Sequence, residues 1–354
     1  MDTTTFRILD IMSTYLGNFF SINQLTEKIK EIHGTAYYTN IYKRLHDLET
    51  KGLMNLKKVG KSSIIELNFQ NYLLIDLLAE MEIKKKLAFL EGRTDLQMLL
   101  KEMDSCFSNI YSVKSICSID SERNLKLNKM EFLYLLKHLG EASDIQNETA
   151  RIHGELQKLQ DKHNLRIESL VLDESEFLAL LESDEINPLK EILSKKTIFF
   201  CPQAFWNEMR EIIERGTEFT TEETKTKPSE ISEKDLIYNL ARFGYKEFGS
   251  RIGQGEKICI EYIITSLLMQ GDARRIEAIP IIMAKHNANS NLLIYLSQKF
   301  GTSGRLLGLL EILADIKSTE ELERSIKLLK AFNVTAIEAD ERSISEKMRL
   351  YNAA

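Results

Sequence analysis

Apolar positions recur every three or four residues over 3–16, where Phe6, Leu9, Ile11, Met12 and Leu16 form one stripe. That spacing predicts an amphipathic helix, and Gly17 closes it. Ser21 is a suitable cap for a second helix, Ile22 to Ile32, whose Ile22, Leu25, Ile29 and Ile32 repeat the spacing until His33-Gly34 ends it. A third helix is predicted from a Thr35 cap through Tyr38, Ile41, Leu45 and Leu48 to Lys51-Gly52. The period then changes. Over 53–67 apolar and polar residues alternate on both sides of the basic turn Lys57-Lys58-Val59-Gly60-Lys61, the pattern of a β-hairpin.

Further on, 72–90 and 96–108 read as helices, 111–119 and 125–136 as strands, and 144–163 as a polar helix. Residues 165–172 are strand-like, 174–181 and 188–193 helical, and 198–201 a short strand before Pro202 opens a helix carrying Trp206. This alternation predicts a small α/β domain at 94–215, joined to the first by a linker helix at 71–93. Residues 216–232 are polar and predict a linker. From 233 to 354 the pattern is helical, without a fixed repeat period. The expected fold class is therefore mainly α with α+β: an N-terminal domain over 1–70, a central α/β domain and a C-terminal helical domain.

Helix, helix, turn, helix and hairpin is the order of a winged helix. The segment Tyr38-Thr39-Asn40-Ile41-Tyr42-Lys43-Arg44-Leu45, followed by Leu48-Glu49-Thr50-Lys51-Gly52-Leu53, resembles the recognition helix and start of the wing in prokaryotic, notably archaeal, winged helix-turn-helix regulators. Burying Tyr38, Ile41, Leu45 and Leu48 would leave Tyr37, Asn40, Lys43, Arg44 and Asp47 outward, on the face such proteins place in the major groove. Asn40 could pair with adenine and Lys43 or Arg44 with guanine or phosphate, while Lys57, Lys58 and Lys61 would meet phosphates.

The stretches 165–172, 176–178, 187–193 and 198–206 resemble small nucleotidyltransferase-fold domains. The resemblance implies a Gly-Ser phosphate cradle and three acids holding Mg²⁺, because Mg²⁺ takes hard oxygen ligands. This chain departs from that pattern. Cys117-Ser118 stands in place of Gly-Ser and Lys129-Met130-Glu131 in place of Asp-x-Asp, with Glu168 as the third acid. A lysine at a ligand position repels the metal, so the domain is expected to be degenerate, with Ser118, Glu131 and Glu168 as its only catalytic candidates and no cofactor unless Mg²⁺ binds there.

Charge restricts where nucleic acid can bind. The 354 residues carry a formal −6, yet residues 1–68 hold nine Lys/Arg against seven Asp/Glu. The four cysteines (Cys106, Cys117, Cys201, Cys259) show no CxxC or metal-ligand spacing, predicting buried thiols in a reducing compartment and no metal site. No leader or membrane span is evident, so a cytoplasmic location is expected. The six histidines read as surface or cap residues, and Trp206 with Phe199, Phe200 and Phe205 as core. The Gly-rich run 249–255 lacks the strand and Lys-Ser/Thr of a phosphate loop and reads as an interhelical turn. Arg274 and Arg275, behind an Asp272 cap, suit either an acidic protein partner or an internal ion pair.

The expected function is a DNA-binding transcriptional regulator, acting on double-stranded DNA as a homodimer. The alternatives are a Mg-dependent nucleotidyltransferase or a toxin–antitoxin component that modifies a protein or RNA.

Overall fold

The computed structural model describes residues 1–60, 62–108, 110, 112–138, 142–221, 226–246 and 253–353. It is mainly helical with a few small sheets. In chain order the first elements are α1 (Thr3–Thr14), β1 (Phe20–Ser21), α2 (Ile22–His33), α3 (Tyr38–Thr50), β2 (Met54–Val59) and β3 (Ser62–Leu67). Then come α4 (Leu73–Leu90), α5 (Thr94–Phe107), β4 (Val113–Ile119), α6 (Ser121–Lys126), β5 (Lys129–Leu136), α7 (Ala142–His163), β6 (Arg166–Asp173), α8 (Glu174–Glu182), α9 (Pro188–Ser194), β7 (Lys196–Phe200) and α10 (Pro202–Glu214). The remainder is α11 (Glu233–Arg242), α12 (Ile260–Gln270), α13 (Ala273–Ile276), α14 (Ala278–Lys285), α15 (Ser290–Lys299), α16 (Ser303–Ile316), α17 (Glu320–Ala331) and α18 (Glu341–Leu350).

The chain forms two compact units. The first comprises Met1–Lys137, Phe177–Glu182 and Leu189–Glu223; the second comprises His138–Glu176, Ser183–Pro188 and Thr224–Ala354. This division runs through the 94–215 segment instead of enclosing it. Residues 125–136, expected as one strand, are divided between the end of α6, a turn with Asn128 at φ 52°, and β5.

In the first unit, α2 begins with a full capping box. The Ser21 hydroxyl accepts from the Gln24 N–H, and the Gln24 side chain accepts from the Ser21 N–H. Strand β3 lies between β1 and β2, antiparallel to both, with Leu56 opposite Ile65 and Phe20 opposite Ile65 on the other side. A second antiparallel group has β4 flanked by β5 and β7, with Cys117 opposite both Leu133 and Ile198. Strand β5 is buried on both faces, which explains its nearly continuous apolar run Phe132-Leu133-Tyr134-Leu135-Leu136.

Charge is buried at the centre of this unit. Lys196, at the start of β7, is only 4% exposed; its ammonium lies 4.8 Å from the Trp206 ring centroid and donates to the Ser13 and Leu193 carbonyls. Glu82 of α4 is fully buried and accepts from the Ile198 N–H at 3.1 Å. One turn further along α4, Lys85 meets Asp10 of α1 at 3.0 Å, and Asp10 also meets His33 Nε2 of α2 at 3.1 Å. Burial pushes the Lys196 ammonium down to about 8, against the pull of the Glu82 carboxylate. Burial raises the Asp10 carboxyl, but the Lys85 charge and the His33 contact outweigh it and hold the group at about 2. Part of the expected linker also belongs here: Thr221 is fully buried, its N–H donating to the Leu16 carbonyl and its hydroxyl to that of Thr14.

In the second unit, α12 is buried from Ile260 to Leu268 and packs against α11 and α15; α7 and α15 pack on β6. Gly308 of α16 is required by close approach, since a Cβ there would collide with the Ile337 carbonyl. His153 of α7, expected at the surface, is buried. Its Nδ1 is 3.0 Å from the Ser169 hydroxyl and its ring stands edge-on to Phe332 at 4.8 Å. Burial alone pushes its imidazole down to about 4. Cys117 and Cys259 are buried as expected, whereas Cys201 is exposed, and no disulfide links the four thiols. Among the described residues no helix is long and apolar enough to cross a membrane.

Two outcomes follow from these buried charges. Lys196→Met removes one of the two ammonium groups, the other being Lys85, whose charge acts on Glu82, and is expected to cost roughly 3–5 kcal/mol in denaturant unfolding, with part restored by adding Glu82→Gln; a neutral Lys196→Met would contradict the cluster's role. For His153, the unfolded imidazole takes up a proton near its ordinary value of about 6.5, before the folded one does. Stability is therefore fully present above that pH and lost as pH falls toward 4. The wild type should lose stability relative to His153→Gln over this window, by roughly 3 kcal/mol at most; parallel pH profiles would refute it.

Candidate nucleic-acid interface

Helices α2 and α3 are joined by the short turn 34–37, with Gly34 at φ 83°. The Arg7 guanidinium fixes that turn by donating to the Thr35 carbonyl at 2.7 Å. Thr35 does not cap α3; the cap position is Tyr37, with no side-chain hydrogen bond, and the helix starts at Tyr38. Ile41, Leu45 and Leu48 are buried as the spacing predicts.

Tyr38 departs from that expectation. It is 47% exposed, because its ring stacks on Tyr42 (5.9 Å, 28° between planes) instead of entering the core. Tyr42 is itself 44% exposed and meets the His46 ring edge-on at 4.4 Å. Residues 38, 42 and 46 lie four apart on one helical face, a spacing that fits an exposed aromatic ladder as well as a buried stripe. From Tyr37 to Lys43, only Ile41 is buried.

The expected contact residues divide into two groups. Tyr37 (70% exposed), Asn40, Lys43 and Lys58 present their side chains outward with no hydrogen bond or ion pair to another described residue. Arg44 is turned inward: its Nε donates to the Thr5 hydroxyl and its Nη2 to Asp2 Oδ2, both at 2.5 Å, with Asp47 3.6 Å from Nη1. Asp2 is the N-cap of α1, accepting from the Thr5 N–H, so Arg44 closes a clamp on that cap. Burial raises the Asp2 carboxyl, but the Thr5 hydrogen bonds and the Arg44 charge together outweigh it and hold the group below its ordinary value. On the hairpin, Lys57 pairs with Glu66 at 2.6 Å across β2 and β3, and Lys61 lies outside the described residues.

The nucleotidyltransferase candidates are each engaged by a neighbouring side chain. Ser118 lies inside β4, paired to strands on both sides, and its buried hydroxyl shares a hydrogen bond with Ser121 at 2.6 Å. Backbone bonded on both edges is unavailable to cradle a phosphate. Glu131 is buried against Lys129 Nζ at 2.6 Å, and Glu168 against Arg166 at 2.8 Å. No group of three His, Cys, Asp or Glu among the described residues could hold a metal ion. Of the other motifs, 249–252 lie outside the described residues and Gly255 packs against Tyr238. Asp272 caps α13, Arg275 forms an internal ion pair with Glu233, and Arg274 is exposed. Trp206 and Phe205 are core.

No family model, curated protein or solved structure matches the chain.

Removal of the clamp is measurable. Arg44→Ala is expected to lower stability by roughly 0.5–1.5 kcal/mol through loss of the Asp2 and Thr5 bonds. An unchanged thermal transition would mean that Arg44 points to solvent.

Proposed function

We propose that residues 1–70 are a winged helix-turn-helix that binds double-stranded DNA, with α3 in the major groove and the β2–β3 hairpin against the backbone. The supporting observation is the N-cap and first half of α3, where Tyr37, Tyr38, Thr39, Asn40, Tyr42 and Lys43 all face solvent on a helix anchored by Ile41, Leu45 and Leu48. Large aromatic rings left in water on a helix joined by a tight turn to its predecessor have a use if they meet base edges. Asn40 offers the paired donor and acceptor that adenine requires. Lys43 and Lys58 supply charge to phosphates, and the thymine methyl is a natural partner for the tyrosine rings. One such head covers few base pairs, so the chain is read as a regulator that reaches useful specificity as a homodimer in the cytoplasm.

The test is selection of duplexes from a random library by the full chain. A recurrent motif should be enriched, and Asn40→Ala should relax one A·T position in it by roughly 1–3 kcal/mol, because the bidentate pair is lost. Failure to enrich any motif, or a motif unchanged in Asn40→Ala, would overturn the assignment of α3 as the reading helix.

A further inference from the structure

The second unit contains a cleft of about 860 Å³ between α7, α15 and α17, within the size range of small-molecule sites. Its lining includes the apolar Ile294, Leu328 and Phe332 and the polar Glu176 and Asn291. We propose that this cleft binds a small organic cation, an amine or amidine on an aromatic or aliphatic body, with the cationic head at Glu176 and the body against Phe332.

Three observations support this, none of which depends on DNA binding. Glu176 Oε2 accepts from the Asp173 N–H at 3.1 Å, and Oε1 accepts from Asn289 Nδ2 at 2.9 Å. The Asn289 N–H in turn donates to Glu261 at 2.6 Å. The hydrogen bonds given to Glu176 by described residues come from neutral donors, the Asn291 side chain among them. A buried carboxylate gains most from a charged donor, and an ammonium or amidinium would supply one. Burial, with Asp173 nearby, pushes the Glu176 carboxyl up to about 7, as expected of an acid lacking a counter-ion.

The second observation is Gly154. It lies within α7 on the cleft wall, and a Cβ there would meet nothing within 4 Å. Glycine inside a helix is unfavourable relative to alanine, and no neighbour in the fold requires it. The space beside it is open and available to a bound molecule. Third, the lining carries one acid in excess. Glu176, Glu320 and Glu321 stand against Arg324 and Lys327, Arg324 is held by Glu320, and His153 is kept neutral by its burial.

Calorimetric titration of the full chain with four probes of similar size tests the proposal: phenethylamine, benzamidine, 2-phenylethanol and phenylacetate. The two cations should bind, the alcohol roughly tenfold or more weakly, and phenylacetate weakest. Glu176→Gln, which retains an acceptor for the Asp173 cap, should weaken phenethylamine about tenfold or more. Gly154→Leu fills the cleft from a helix that tolerates leucine and should abolish binding while the thermal transition is kept. Phenylacetate binding as well as phenethylamine, no binding by either cation, or cation binding undiminished in Gly154→Leu would each overturn the proposal. Because the readout uses no DNA, failure here leaves the reading of α3 untouched.

Discussion

Buried charge organises the first unit. A lysine ammonium and a glutamate carboxylate taken out of water are costly unless each finds partners. Lys196 finds the Ser13 and Leu193 carbonyls and the Trp206 face, and Glu82 finds the Ile198 amide. Those partners come from α1, α9, β7 and α10, and α4 joins them through the Glu82 bond to the Ile198 amide. Asp10 extends the constraint, because it touches Lys85 of α4 and His33 at the end of α2. The helices beneath α3 are therefore held by ionic contacts of defined geometry in addition to apolar packing.

That rigidity determines which side chains are free to act. Arg44, the residue best suited by type to grip a guanine, is used in holding the cap of α1, and Lys57 is drawn across the hairpin to Glu66. What remains outward is sparser and more aromatic than a basic recognition face: Tyr37, Tyr38, Asn40, Tyr42, Lys43 and Lys58. Under the proposed DNA contact, a face with few cations would give limited non-specific affinity, and more of the recognition would rest on shape and base-edge contacts.

Much of the element pattern was legible in the sequence because its periods are plain. Spacings of three and four marked α1 to α3, and strict alternation marked β2 and β3. Helix α6 was hidden because it has only six residues and Leu125 and Leu127 blend into the apolar run of β5. Tyr38 was misplaced because an aromatic residue three before Ile41 satisfies the core spacing as well as it satisfies an exposed stack. Nothing local distinguishes Lys196, which is buried, from Lys195, which pairs with Glu191 one helical turn back. The cleft was invisible for a different reason. Glu176 reads as a helix-cap acid, and Asn289, 113 residues away, as another cap; only the fold brings the two caps together.

The proposed DNA contact sets the exposed face of α3 and the hairpin against the phosphate backbone of the duplex. The most direct measurement is the salt dependence of the full chain's affinity for a duplex of arbitrary sequence. With Lys43 and Lys58 neutralising one phosphate each, a plot of log affinity against log salt should fall with a slope of about −2 or steeper, at roughly −0.9 per contact. A flat plot, or no retention of the duplex at low salt, would contradict the account.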